Sequence, residues 1–254
     1  MPAIYTETKR FSYTKNPNYR RILKAPDRPI AIRNEYVTES KVSLILRPLG
    51  DAQSQTAYRI EDDDGITMFT VTGRKSSDRS CREFRDASGL PLFELHRKMS
   101  FKNVWSVTLP GSSISKIATG TPRLIFNRGG SAYGSFNITF KNVAAMESKP
   151  DEEKRLTLNI ERHGNALALF DVVDGDRKVA EVRESIAHNK KLALFPESRR
   201  GYRPVLDVTV TPGVDLSLVR VSSYALLYYL FKHHMKTNTT PDCHNCRDGV
   251  GLGV

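Results

Sequence analysis

Residues 205–235 read VLDVTVTPGVDLSLVRVSSYALLYYLFKHHM and form the most hydrophobic segment of a 254-residue chain that is otherwise polar and basic. The first six residues, VLDVTV, alternate as a half-buried strand does. Thr211 and Pro212 then suit the N-cap and first helical position, and Asp215 falls in the first turn, where a negative charge meets the helix dipole favourably. The pattern predicts a helix from near Pro212 to about Met235. Its few polar residues, Asp215, Ser217, Arg220, Ser222 and Ser223, are spread over several sides of the helical wheel, so the helix has to be surrounded. Lipid and the inside of a protein are the two environments that can do this. A membrane span needs about 20 predominantly apolar residues, and a charge near its middle costs on the order of 3 kcal/mol. Arg220 and the serines therefore favour a protein core, with Leu216, Leu218, Val219, Val221, Leu226, Leu227 and Leu230 as the expected core contacts.

The rest of the chain offers the wall for that core. From about Lys41 it breaks into short β-type runs punctuated by turn residues: KVSLILR, TAYRIED, ITMFTVTG, SCREFRD, LPLFELH, VWSVTL, PRLIFN, GSFNITFKNV, RLTLNIER, ALALFDVV, KVAEVRE, KKLALF and VLDVTV. Asp64-Gly65, Ala87-Ser88-Gly89, His163-Gly164-Asn165 and Asp174-Gly175-Asp176 separate paired runs as hairpin turns do. No long helical pattern precedes residue 205. About twelve strands in a meander leave two exposed edges unless the sheet closes. Closing it around an apolar helix removes both edges and covers the helix. The fold expected is mainly β, a closed antiparallel barrel around a C-terminal helix. Three parts are expected: a basic, partly disordered arm over 1–29, one domain over 30–235, and an irregular tail over 236–254.

The net charge of +11 is unevenly placed. Residues 1–33 carry eight basic residues against Glu7 and Asp27, and residues 185–204 carry Lys190, Lys191, Arg199, Arg200 and Arg203 against Glu197. Such a surface attracts phosphate, on anionic lipid or on nucleic acid; a solvated arm and a solvated loop are the alternative. Cys81, Cys243 and Cys246 are too few for a disulfide framework, and the N-terminus lacks an apolar signal run, so a reducing intracellular, cytoplasmic setting is expected. The sequons at Asn137 and Asn238 then carry no weight.

At this point the residues resemble a known family. The run RSCREFRDASGLPLFELHRKMSFKNVWSV is similar to the central signature of LURP-one-related proteins: a strand, an R-D-x-x-G hairpin, an apolar strand, an R-K pair and a tryptophan on the next strand. RPVLDVTVTPGVDLSLV resembles that family's closing signature, and EDDDGITMFTVTGR its first repeat. The resemblance implies a tubby C-terminal-like barrel of about twelve strands around a central hydrophobic helix, shared with phospholipid scramblases. By analogy with tubby proteins it also implies contact with phosphoinositides at membranes. The chain departs from the pattern at Arg220, in the Gly/Ser-rich segment 112–132, and in its basic arm and Cys-containing tail.

Candidate chemistry is sparse. His96, Arg97 and Lys98 with Lys102 could meet phosphate on a rim loop, or simply end a strand in solvent. Cys243, His244 and Cys246 make half a zinc site at most, and unmodified thiols are the plainer reading, so no metal or other cofactor is expected. Asp62, Asp63 and Asp64 lack EF-hand spacing and read as turn formers. Trp105, the one tryptophan, is assigned to the barrel core. No nucleophile elbow, zincin motif or phosphate loop is present. The chain is expected to be a non-enzymatic binding or adaptor module and a monomer. It is expected to meet anionic membrane lipid through Arg97, Lys98, Lys102, Lys190, Lys191, Arg199, Arg200 and Arg203. A scramblase-like lipid-transfer role and a nucleic-acid-binding, transcription-related role are the alternatives.

Overall fold

The computed structural model of the protein describes residues 21–50, 57–73, 81–97, 104–112, 115–127, 130–145, 154–162, 168–189 and 203–219. Twelve strands lie within them: β1 (Val42–Leu49), β2 (Ala57–Glu61), β3 (Thr67–Gly73), β4 (Cys81–Asp86), β5 (Pro91–Arg97), β6 (Trp105–Thr108), β7 (Lys116–Asn127), β8 (Gly130–Lys141), β9 (Arg155–Arg162), β10 (Ala168–Asp174), β11 (Arg177–Glu184) and β12 (Leu206–Val210). Each pairs antiparallel with its neighbours in sequence, and β1 pairs with β12 to close the barrel. The closing stave is the strand that opens the 205–235 stretch. Val42 lies opposite Val210 on one side of it, and Ala180 lies opposite Val210 on the other. KKLALF, read as a further strand, lies outside the described residues.

Alternation does what the pattern predicts. Leu44, Leu46, Ile60, Phe69, Phe84, Leu95, Trp105, Val107, Leu158, Val182 and Val208 are all buried in one hydrophobic cluster, while Arg59, Thr72, Thr157 and Arg183 on the same strands are exposed. Trp105 is a core residue, as expected. Turn chemistry fixes the hairpins. At the β4–β5 turn Asp86 Oδ1 accepts hydrogen bonds from the Leu90 N–H at 2.9 Å and the Ser88 hydroxyl at 2.7 Å, and Gly89 takes φ +86°, a conformation that side chains disfavour. At the β2–β3 turn Asp62 Oδ1 accepts the Ile66 N–H at 2.8 Å, the turn-forming role assigned to that acidic run.

Most of the Gly/Ser-rich segment 112–132 is strand. β7 and β8 are the longest staves of the barrel, twelve residues each. Among the described residues the β6–β7 pairing runs from Thr108 opposite Lys116 to Trp105 opposite Gly120, and Pro122 lies two residues beyond it. Gly120 faces the Phe136 ring so closely that a Cβ there would collide with it. A void of about 10 Å³ beside Trp105, Gly120 and Phe136 leaves room for at most a water molecule.

The helix begins four residues later than predicted. Pro212 and Gly213 form a turn, and the helical residues start at Leu216. Asp215 is the N-cap: its Oδ1 accepts the Ser217 N–H at 2.7 Å and the Ser217 hydroxyl at 2.6 Å, and its carbonyl accepts the first helical bond from the Val219 N–H. Thr211 has other work, donating both its N–H and its hydroxyl to the Val179 carbonyl. Leu216, Leu218 and Val219 belong to the same cluster as the inner face of the barrel, so the first helical turn enters the core. Val221, Leu226, Leu227 and Leu230 lie outside the described residues.

Candidate functional site

Because the strands alternate in direction, their connections fall at two ends of the barrel. At one end lie the β2–β3, β4–β5, β6–β7, β8–β9 and β10–β11 turns and the passage from β12 into the helix. The described part of the N-terminal segment crosses this end. Leu23 bridges to Lys178 on β11, and Ile30 bridges to Val214. The Ile30 N–H donates to the Gly213 carbonyl at 2.9 Å, the Ala31 N–H to Asn142 Oδ1 at 2.9 Å, and the Arg33 guanidinium reaches the Leu92 carbonyl at 3.4 Å. Ile30 and Ala31 are fully buried and stop this mouth. The Asp215 carboxylate clamps the crossing, since its Oδ2 accepts the Ile32 N–H at 3.0 Å and the Arg33 N–H at 2.9 Å. Burial pushes the Asp215 carboxyl above its ordinary range, against the pull of these donors and of Ser217.

Two of the basic residues counted along 1–33 are committed within the molecule. Arg21 lies 3.5 Å from Glu161, and Arg33 pairs with Glu35 at 2.9 Å while its guanidinium sits 5.1 Å from the centroid of the Phe93 ring. Arg177 of β11 reaches back to Asp27 at 2.5 Å. The charge excess counted along residues 1–33 is therefore partly neutralised on the barrel surface.

The connections that carry the predicted phosphate contacts join the barrel at the opposite end. Arg97 closes β5, opposite Trp105 on β6, so the connection carrying Lys98 and Lys102 leaves and rejoins the barrel at that end. β11 ends at Glu184 and β12 begins at Leu206 at the same end, bracketing Lys190, Lys191, Arg199, Arg200 and Arg203. Arg203 is half-buried. Lys98, Lys102, Lys190, Lys191, Arg199 and Arg200 lie outside the described residues, as do Cys243, His244 and Cys246.

The outer wall near this end holds a constellation that the sequence reading missed. Cys81 on β4 lies opposite His96 on β5, and His96 lies opposite Ser106 on β6; one rung away Glu83, Glu94 and Thr108 stand in the same order. Cys81, Glu83, Glu94, Ser106 and Thr108 are all buried, and the His96 side chain is 27% exposed. His96 Nε2 lies 3.1 Å from Glu94 Oε2 and 3.1 Å from Thr108 Oγ1. The Gly111 N–H donates to Glu94 Oε1 at 3.2 Å, and Arg85 pairs with Glu83. Alternation alone puts Glu94 and His96 on one face. Bringing Cys81 to them requires the hairpin register, which includes an irregularity between Phe84 and Arg85.

A different ionic group stands on β10 and β11. A bulge between Val172 and Val173 re-aims Lys178, which strict alternation would turn inward with Ala180 and Val182. Its ammonium lies 2.7 Å from Glu181 and 3.5 Å from Asp171, both on the outer face. Burial raises the Glu181 carboxyl, but the Lys178 and Arg183 charges more than reverse this and hold it below its ordinary range.

No helix among the described residues is long and apolar enough to cross a membrane. None of the curated proteins matches the chain. Among solved structures, the X-ray structure of an Arabidopsis thaliana protein shares 15% identity with a TM-score of 0.44, over 80% of this chain and 98% of that one. The family model described as LURP-one-related matches residues 42–221, nearly the whole barrel and the start of the helix, and the chain therefore belongs to the LURP-one-related family.

Proposed function

We propose that the protein is a non-enzymatic, intracellular binding module that meets anionic membrane lipid with one end of its barrel. The observation that carries this reading is topological. The β5–β6 and β11–β12 connections, which hold Lys98, Lys102, Lys190, Lys191, Arg199 and Arg200, join the barrel at the same end, away from the mouth stopped by Ile30 and Ala31. Two connections that join the barrel at one end are able to present their basic residues to one charged plane, each Lys or Arg near such a surface contributing about 1 kcal/mol. The interior supports a surface role too, because the barrel's inner face and the first helical turn share one packed cluster.

The test is vesicle flotation of the full chain on phosphoinositide-containing, phosphatidylserine-containing and neutral vesicles at physiological salt. The reading expects retention on anionic vesicles only, weakened when Lys190, Lys191, Arg199 and Arg200 are changed to Glu. Removing the arm requires care: a truncation should stop at residue 20, since residues 30–33 are bonded to Asp215 and Asn142. Equal retention on neutral and anionic vesicles would overturn the reading. Salt-sensitive binding to duplex DNA without flotation would replace it with the nucleic-acid alternative.

A further inference from the structure

Among the described residues, Cys81, Glu94 and His96 bring a thiol sulfur, a carboxylate oxygen and a ring nitrogen within 4.8 Å of one another. We propose that this group binds a divalent transition-metal ion of the zinc class on the outer wall of the barrel. The donor set matches the ion: sulfur, imidazole nitrogen and one carboxylate are zinc's usual partners, whereas calcium and magnesium take oxygen alone. The charges match as well. A thiolate and a carboxylate balance a dication, so the occupied site is neutral, which a largely buried position requires. Cys81 and Glu94 are each about 95% buried.

The scaffold already aims the ligands. Cys81 and His96 are register partners on adjacent strands, and Glu94 lies two residues before His96 on the same face. The Gly111 N–H holds Glu94 Oε1, turning Oε2 toward His96 Nε2 at 3.1 Å. Bonds of about 2.0–2.3 Å separate neighbouring donors on a tetrahedral ion by roughly 3.5 Å, so side-chain adjustments of about 1 Å complete the site. The ion then takes the place between Nε2 and Oε2 that a shared hydrogen occupies without it; the imidazole carries its hydrogen on Nδ1 instead, and the Cys81 proton leaves to solvent. A water fills the fourth position, beside the Thr108 hydroxyl. Glu83, opposite Glu94 and paired with Arg85, adds a second buried carboxylate to the neighbourhood. The half-exposed His96 edge supplies the way in. Bound metal ties the start of β4 to the end of β5, next to the end where the β5–β6 and β11–β12 connections join the barrel, and this holds whether or not that end meets lipid.

The test uses the full chain with Cys243 and Cys246 changed to Ser, so that the tail contributes no sulfur. Cobalt(II) is the probe, followed by zinc. One equivalent should produce a sulfur-to-cobalt charge-transfer band with four-coordinate visible bands, and zinc should bleach both. Cys81→Ser should abolish the charge-transfer band, and His96→Gln should weaken cobalt binding roughly tenfold or more. Should Cys81→Ser fail to fold, the His96→Gln result decides, because His96 is partly exposed. Absence of the charge-transfer band in the tail-substituted chain would overturn the proposal. So would a band unchanged by both substitutions.

Discussion

The Asp215 carboxylate accepts the backbone N–H of Ile32 at 3.0 Å across 183 residues of sequence. The same side chain caps the helix that begins at the next residue, so one buried group fixes both the segment that stops the barrel mouth and the point where the chain turns into the core. Replacing Asp215 with Ala orphans the N–H groups of Ile32, Arg33 and Ser217 in a buried setting. The expected loss is about 3–5 kcal/mol, read as a lowered urea midpoint with an unchanged slope. A loss below about 1 kcal/mol would mean that water or a neighbour replaces the carboxylate.

Two carboxyls shift in opposite directions and give opposite pH signatures. The Asp215 carboxyl is raised from 3.8, so its contribution to stability is present below that value and is lost as pH rises through the folded-state value. The Glu181 carboxyl is lowered from 4.5; its contribution is present above that value and is lost as pH falls through the folded-state value. Relative to Asp215→Asn, the natural protein should therefore lose stability as pH rises above about 4. Relative to Glu181→Gln, it should lose stability as pH falls below about 4.5. Urea midpoints across pH 3–7 for the three proteins check both signs.

Much of this architecture was legible because its signals are local. Asp-Gly and Asp-x-x-Gly turns announce the β2–β3, β4–β5 and β10–β11 hairpins, and alternation tells inner from outer residues on nearly every strand. The quoted stretch pointed to closure because an apolar helix and two free sheet edges solve each other's problem. Other features depend on partners far away in sequence. The helix starts at Leu216 and not Pro212 because Gly213 and Asp215 are bonded to Ile30 and Ile32, contacts that capping preferences along 211–215 cannot foretell. Gly120 has its reason in the Phe136 ring that packs over it from the neighbouring strand. The Cys81–Glu94–His96 group needed the hairpin register, irregularity included.

Lys178 should behave as a buried ion-pair centre. Its ammonium serves Glu181 and Asp171, and its carbonyl accepts the Lys24 N–H of the N-terminal segment at 2.9 Å. Lys178→Met leaves Asp171 buried beside Glu181 without the cation and is expected to cost about 3 kcal/mol. Adding Asp171→Leu should recover part of that loss, because the buried carboxylate that faced the ammonium is removed with it. Thermal unfolding of the single and double variants separates the outcomes, and additive losses would show that the two side chains are not coupled.

Flotation of a charge-reversed protein decides whether the chain meets anionic lipid through the basic residues of its β11–β12 connection. The full chain and a Lys190→Glu/Lys191→Glu/Arg199→Glu/Arg200→Glu variant, matched in urea midpoint, are compared on phosphoinositide vesicles and neutral vesicles at physiological salt. The natural chain should float with the anionic vesicles alone, and the variant should stay at the bottom of the gradient. Identical flotation of the two proteins, or none by either, would contradict the proposed lipid contact.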